Sequence, residues 1–172
     1  MKKIVAVALA ATALLGANSA FAQATASTSA SGSVTLIRPL TITKTADLEF
    51  GRIVKPSAGT GTVSMTSAAD GVTAGSGSVA LTGITTSRAK FTIDGEGGQL
   101  VNVTVPGSFT ITNGTDNISV TTASSLGASV TLSSSLGSAG TSPLNVGGSF
   151  SVPTAISTGL YTGTLNVSVA YN

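Results

Sequence analysis

The stretch Val101-Asn-Val-Thr-Val-Pro-Gly-Ser-Phe-Thr-Ile111 places an apolar residue at 101, 103 and 105, breaks at Pro106-Gly107, and resumes at 109 and 111. Side chains on a β-strand point to opposite faces in turn, so this spacing gives each run one face for a core and one for water. The same period recurs on both sides: Val34-Thr-Leu36, Leu40-Thr-Ile42, Val63-Ser-Met65, Val79-Ala-Leu81 and Phe91-Thr-Ile93 before it, and Ile118-Ser-Val120, Val130-Thr-Leu132, Phe150-Ser-Val152 and Leu165-Asn-Val-Ser-Val-Ala-Tyr171 after it. No window beyond Gln23 carries a helical period. The five prolines, at 39, 56, 106, 143 and 153, read as segment edges, where a missing N–H does least harm. About ten short strands with frequent Gly, Pro and Asn-Gly breaks describe an all-β chain, an antiparallel β-sandwich rather than an α/β fold. No fixed period long enough for a propeller or solenoid is visible.

The N-terminus reads differently. Met1-Lys-Lys3, the short apolar run Ile4 to Leu15 and the small-x-small triplet Ala20-Phe-Ala22 form a secretory signal peptide over 1–22. Removing 22 of the 172 residues leaves 150, enough for one domain with a core. The expected localisation is export: periplasm in transit, then the cell surface, a fimbrium or the medium. Cleavage also removes Lys2 and Lys3, which account for the net charge of +2, and leaves six basic and six acidic residues. A neutral, sparsely charged surface offers no electrostatic case for nucleic acid or anionic lipid, and no membrane span is expected after cleavage.

Chemistry is hard to build from what remains. The chain has no Cys and no His, so Ser–His pairs, thiolate nucleophiles and nitrogen or sulfur metal ligands are all excluded. A glycosidase needs two facing carboxylates, and the six acids fall singly or on loops. Asp94-Gly-Glu96-Gly-Gly reads as a polar hairpin turn rather than a calcium loop, since calcium takes six or more oxygens. Asn113-Gly114 reads as a turn. No enzyme activity, catalytic residue, cofactor or metal is expected.

The two ends carry the remaining information. From Gln23 to Leu36, QATASTSASGSVTL, odd positions are polar and even positions are small or apolar in six of seven cases. This register suits an extended strand that lays one face into a groove belonging to another chain; a flexible tail before the first strand is the bland alternative. At the other end, Gly159-Leu-Tyr-Thr-Gly-Thr-Leu-Asn-Val-Ser-Val-Ala-Tyr171-Asn172 is a long alternating strand.

From about Leu40 to Asn172 the chain resembles a bacterial family of uncharacterised domains, on Ala46-Asp-Leu-Glu-Phe-Gly51 and the closing Gly159–Tyr171 segment. Both segments are also similar to subunits of chaperone–usher pili, particularly the archaic type related to spore coat protein U. The resemblance implies an immunoglobulin-like sandwich, incomplete and completed by a donor strand. Residues 23–38 would be the N-terminal extension and 39–172 the sandwich. Ala30, Gly32, Val34 and Leu36 match the donor strand, while Leu165, Val167, Val169 and Tyr171 match the terminal strand that pairs with a chaperone. The implied function is a structural subunit of a fimbria- or pilus-like surface polymer. Its implied partners are further copies of itself through strand addition, a periplasmic chaperone and an outer-membrane usher. The competing reading is a self-complete exported sandwich acting as a binding or surface-coat protein. If the pilin likeness holds, Ile42, Leu48, Phe50, Phe91, Ile93, Val103, Phe109 and Phe150 are the expected core positions that form the groove walls; they would be core residues in the competing reading too. Many such subunits carry a disulfide; this chain departs in having no cysteine.

Overall fold

A computed structural model describes residues 25–172; the signal peptide expected over 1–22 lies outside the described residues. The chain divides at Val34/Thr35. Residues 25–34 of the first unit carry no strand and are exposed.

The second unit, Thr35–Asn172, holds twelve strands and, among the described residues, no helix. They are β1 (Thr41–Ala46), β2 (Ile53–Val54), β3 (Thr60–Met65), β4 (Val72–Gly75), β5 (Val79–Ala80) and β6 (Ala89–Glu96). The second half adds β7 (Leu100–Thr104), β8 (Ser108–Thr112), β9 (Asn117–Ser124), β10 (Ser129–Thr131), β11 (Ala139–Pro153) and β12 (Ser168–Tyr171). Every ladder is antiparallel. A seven-stranded sheet runs β1-β6-β11-β3-β4 with β9 and β8 branching from β11; a three-stranded sheet runs β10-β7-β12; β2 and β5 form a small pair.

The alternation seen in the sequence is what buries the core. Ala89, Ile93, Leu144 and Val146 of the large sheet meet Val101, Val103 and Leu132 of the three-stranded sheet and its margin, all nearly inaccessible to water. Two sheets face to face over one apolar layer make a β-sandwich. Val63, Met65, Ile118, Val120 and Val152 extend the buried layer under β3, β9 and β11.

The long central strand β11 organises the large sheet. It pairs with β6 through Ala139–Val146, with β9 through Val146–Ser149, and with β3 through Gly148–Pro153. Val146 is held on one edge by Ala89 and on the other by Ser124; two residues later Gly148 is held by Met65 and Thr122. β11 thus exchanges β6 for β3 along one edge within two residues.

This strand corrects one sequence expectation. Pro143 is not at a segment edge but inside β11, opposite Thr92. The hydrogen bonds around it explain why. Thr141 and Asn145, which share its parity, exchange bonds with Ser133 and Ser125 rather than with β6. The position of the missing Pro143 N–H therefore faces away from β6, and the ladder loses nothing.

Candidate functional site

The C-terminal segment runs antiparallel to β7 and β8 taken as one bent strand. Ser168 pairs with Thr104 and Tyr171 with Val101; farther up, Thr112 and Thr162 exchange both backbone bonds, at 2.8 and 2.9 Å. The paired numbers sum to 272 in the first stretch and 274 at the bridge, so Pro106-Gly107 inserts a two-residue slip between them. Gly163 sits so close to β8 that a Cβ there would strike the Thr110 carbonyl oxygen and lie 3.0 Å from Ile111 Cγ2.

Residues 163–167 consequently lie between two pinned points. No backbone hydrogen bond among the described residues involves them. Opposite them, β1 pairs among the described residues only with β6, so its other edge is unpaired by any described strand. Both open edges border one cavity of about 1160 Å³. Ala46, Leu48 and Phe50 line it from the β1 side, Leu165, Tyr161 and Leu160 from the terminal segment.

The cavity wall combines an apolar side with five charged residues, Lys44, Asp47, Glu49, Arg52 and Lys55. All four phenylalanines of the described residues, Phe50, Phe91, Phe109 and Phe150, line it, with Ile118 and Val152. Phe50 meets Phe150 edge-on, ring centres 4.9 Å apart at 86°, a favoured aromatic geometry. None of the four rings is fully buried. Of the eight residues expected to wall a groove, Leu48 and these four phenylalanines do line the cavity. Ile93 and Val103 are core residues away from the cavity lining, and Ile42 packs against that core.

The family model described as "Domain of unknown function (DUF4402)" matches residues 40–171, a span that contains every strand and both walls of the cavity. The chain belongs to this family. No curated protein and no solved structure matches it.

Within this DUF4402 domain, Leu165, Val167, Val169 and Tyr171 alternate with exposed neighbours and pack their half-buried side chains against the core. Val169 and Tyr171 stand in β12, whereas Leu165 and Val167 precede it, in the unpaired stretch. Ala30, Gly32, Val34 and Leu36 are all exposed and outside any strand, Val34 at 82% and Leu36 at 86%.

Two polar anchors, neither found from the sequence, fix the ends of the terminal segment. At the cavity end, Asp116 Oδ2 accepts a 2.7 Å bond from the Ser157 amide, and Tyr161 Oη donates to the Ser157 carbonyl at 2.8 Å. The Ser157 hydroxyl and amide together hold the Asp116 carboxyl below its usual pKa. Partial burial, and then the Asp116 charge, push the Tyr161 phenol up. At the other end Glu96, 2% exposed, accepts from the amides of Gly137 and Arg38, the latter at 3.1 Å. Tyr171 Oη accepts from the Glu96 amide at 2.7 Å and donates to the Arg38 carbonyl at 2.9 Å. Asp94-Gly-Glu-Gly-Gly is therefore only half a turn: Gly97 and Gly98 make it, while Glu96 closes β6 as a buried clamp.

Tyr171→Phe should expose the value of the clamp. It leaves the part-buried Glu96 amide without a partner, while water can replace the hydroxyl at the exposed Arg38 carbonyl; the expected cost is about 1–3 kcal/mol, a fall of roughly 3–10 °C in thermal midpoint for a domain of this size. Calorimetry of the two proteins side by side reads this directly.

Acid should loosen the same anchors. The Gly137 and Arg38 amides hold Glu96 low against the cost of its burial. A hydrogen bond from Lys90, then one from the Arg88 amide, hold Asp70 low. With Asp116, three carboxylates have folded pKa values below their unfolded ones. The unfolded chain then binds more protons in that range, so stability rises with pH. The contribution is complete above about pH 4–5, where unfolded carboxylates are ionised, and disappears as pH falls through the depressed folded values. Thermal midpoints recorded between pH 7 and pH 2 should stay level and then drop; Glu96→Gln should flatten the drop.

Proposed function

We propose that this chain is a structural subunit of a fimbria-like surface polymer joined by strand addition. One observation carries the reading: the unpaired edge of β1 and the unpaired stretch 163–167 border one cavity lined by four phenylalanines. Unpaired edges are templates for another strand. An added strand would satisfy both while its alternate side chains filled the cavity, the mode called β-augmentation. The exposed alternating segment with Ala30, Gly32, Val34 and Leu36 has the pattern such a strand needs. Seven residues of extended chain span about 23 Å and the five unpaired residues 163–167 about 16 Å, so one added strand is long enough to cover the open stretch.

On this reading the sandwich is of incomplete immunoglobulin type. The leader 1–22 sends the chain to the periplasm, a chaperone covers the open edge in transit, and an outer-membrane usher exchanges it for the extension of the next copy. The likeness of Ala46–Gly51 and Gly159–Tyr171 to chaperone–usher subunits supports these partners. The absence of His and Cys in the sequence supports a structural rather than catalytic role.

Deleting residues 23–35 tests the proposal. The expected result is a chain that is exported and folds with its chaperone but yields no filaments in electron micrographs of sheared surface material. Should deletion change neither assembly nor thermal midpoint, the competing self-complete sandwich replaces it.

A further inference from the structure

The sandwich has two ends along its terminal segment. Leu160 marks the cavity end; Tyr171, eleven residues on, marks the tail end, roughly 36 Å away as extended chain. At the tail end Arg38 is held by Glu96 and Tyr171. The exposed apolar residues gather at these same ends. Leu136 adjoins Gly137, whose amide is clamped by Glu96, and the Leu100 carbonyl accepts from the Asn172 amide; both leucines belong to the tail end. Val54 pairs with Val79, Leu81 donates to the Arg52 carbonyl, and neighbouring Lys55 donates to the carbonyls of Thr154 and Ile156. That second group lies at the cavity end, where Arg52, Lys55 and Leu160 share the cavity wall. Val79 is 54% exposed, Leu136 56% and Leu160 81%.

We infer that the tail end of one copy seats on the cavity end of the next, Leu100 and Leu136 covering Val54, Val79 and Leu81, as a second contact besides the inserted strand. The inference rests on the strand-addition reading and deepens it. The decisive quantity is the length of the joint. If Leu36 is the last inserted residue, Leu36 to the clamped Arg38 is two residues, about 7 Å at full extension. So short a connection cannot hold two sandwiches apart, and some surface of each must be covered. With the inserted strand antiparallel to residues 159–167, Leu36 leaves the cavity beside Leu160, and the surfaces brought together are the two exposed apolar groups. A parallel strand would set Leu36 toward Val167, bringing like tail ends together and leaving Val54, Val79 and Leu81 bare. The contact is heterologous, one patch against a different one, which propagates a filament instead of closing a dimer.

The chain's lack of cysteine makes the test clean. Val79→Cys, Leu136→Cys and the double variant, each in the full-length chain with its leader, are assembled and treated with a short bis-maleimide. The double variant should give a ladder of covalent multimers on a denaturing gel, and neither single variant any multimer. Covalent dimers from the Leu136→Cys single variant would overturn the inference in favour of tail-to-tail contact. Filaments visible by electron microscopy but no ladder from the double variant would overturn it while leaving strand addition standing. No filaments even from the unsubstituted chain would overturn strand addition, and this inference with it.

Discussion

Gly147→Ala is expected to leave little folded protein. Gly147 lies between the two residues where β11 is held on both edges. A Cβ at this position would collide with the Met65 carbonyl oxygen and sit 2.6 Å from the Thr66 carbonyl carbon. Both are backbone atoms, so no rotamer change relieves the clash; β3 or β11 must shift. Each shift is blocked, because β11 is registered against β6 and β9 a residue away and β3 against β4 on its far side. Overpacking that forces backbone movement costs about 3 kcal/mol or more, set against a total stability of about 5–15 kcal/mol. The expected outcome is a thermal midpoint lowered by roughly 10 °C or more, with sharply reduced recovery of exported protein. Gly127→Ala is the control: its Cβ meets nothing within 4 Å, and a surface change of this kind stays within about 0.5 kcal/mol.

That same strand shows where the sequence was legible and where it was not. Val101, Val103, Ile118, Val120, Val63 and Met65 announced themselves through strict alternation, and all six are buried. The reading of an all-β antiparallel sandwich rested on such residues and matches the fold. By contrast, Ala139–Ser149, read Ala-Gly-Thr-Ser-Pro-Leu-Asn-Val-Gly-Gly-Ser, has the composition of a loop, yet it is most of the central strand. Composition misleads there because the strand is crowded. Glycine is used at 147 and 148 since neighbouring backbone and Val120 occupy the side-chain space, and proline is tolerated at 143 since its N–H side faces no ladder.

The candidate site was legible in its materials and not in its assembly. The phenylalanines stood out as the large residues of a chain rich in Gly, Ser, Thr and Ala, and expecting them in groove walls needed only a likeness. That four strands or loops far apart in sequence deliver them to one cavity is a property of the topology. The Glu96 clamp was illegible for another reason. A carboxylate flanked by three glycines has the local signature of an exposed turn, and only the amides of Arg38 and Gly137, 58 and 41 residues away, make it a buried acceptor. Long-range partners of a buried charge leave no local pattern to read.

A synthetic strand of residues 25–36, added to a chain lacking 23–35, should raise its thermal midpoint strongly. Burying Val34 and Leu36 contributes roughly 3–6 kcal/mol together, and about ten new backbone bonds along β1 and residues 163–167 add roughly 0.5–1.5 kcal/mol each. Ordering the free strand and the cost of association offset most of this, and the expected dissociation constant lies in the micromolar range, about −8 kcal/mol. At one hundred times that constant a ligand that binds only the folded state stabilises it by about 2.7 kcal/mol, a shift near 8 °C for a domain of this size. A peptide carrying Val34→Asp and Leu36→Asp presents charge to the phenylalanine walls and should shift nothing. So should a peptide in which each even-numbered residue is exchanged with its odd-numbered neighbour, because a one-residue slip turns every apolar side chain to water. The register control decides between mechanisms. A groove that merely collects apolar matter would accept the exchanged peptide, whose composition is unchanged, whereas one that adds a strand between two open edges must reject it.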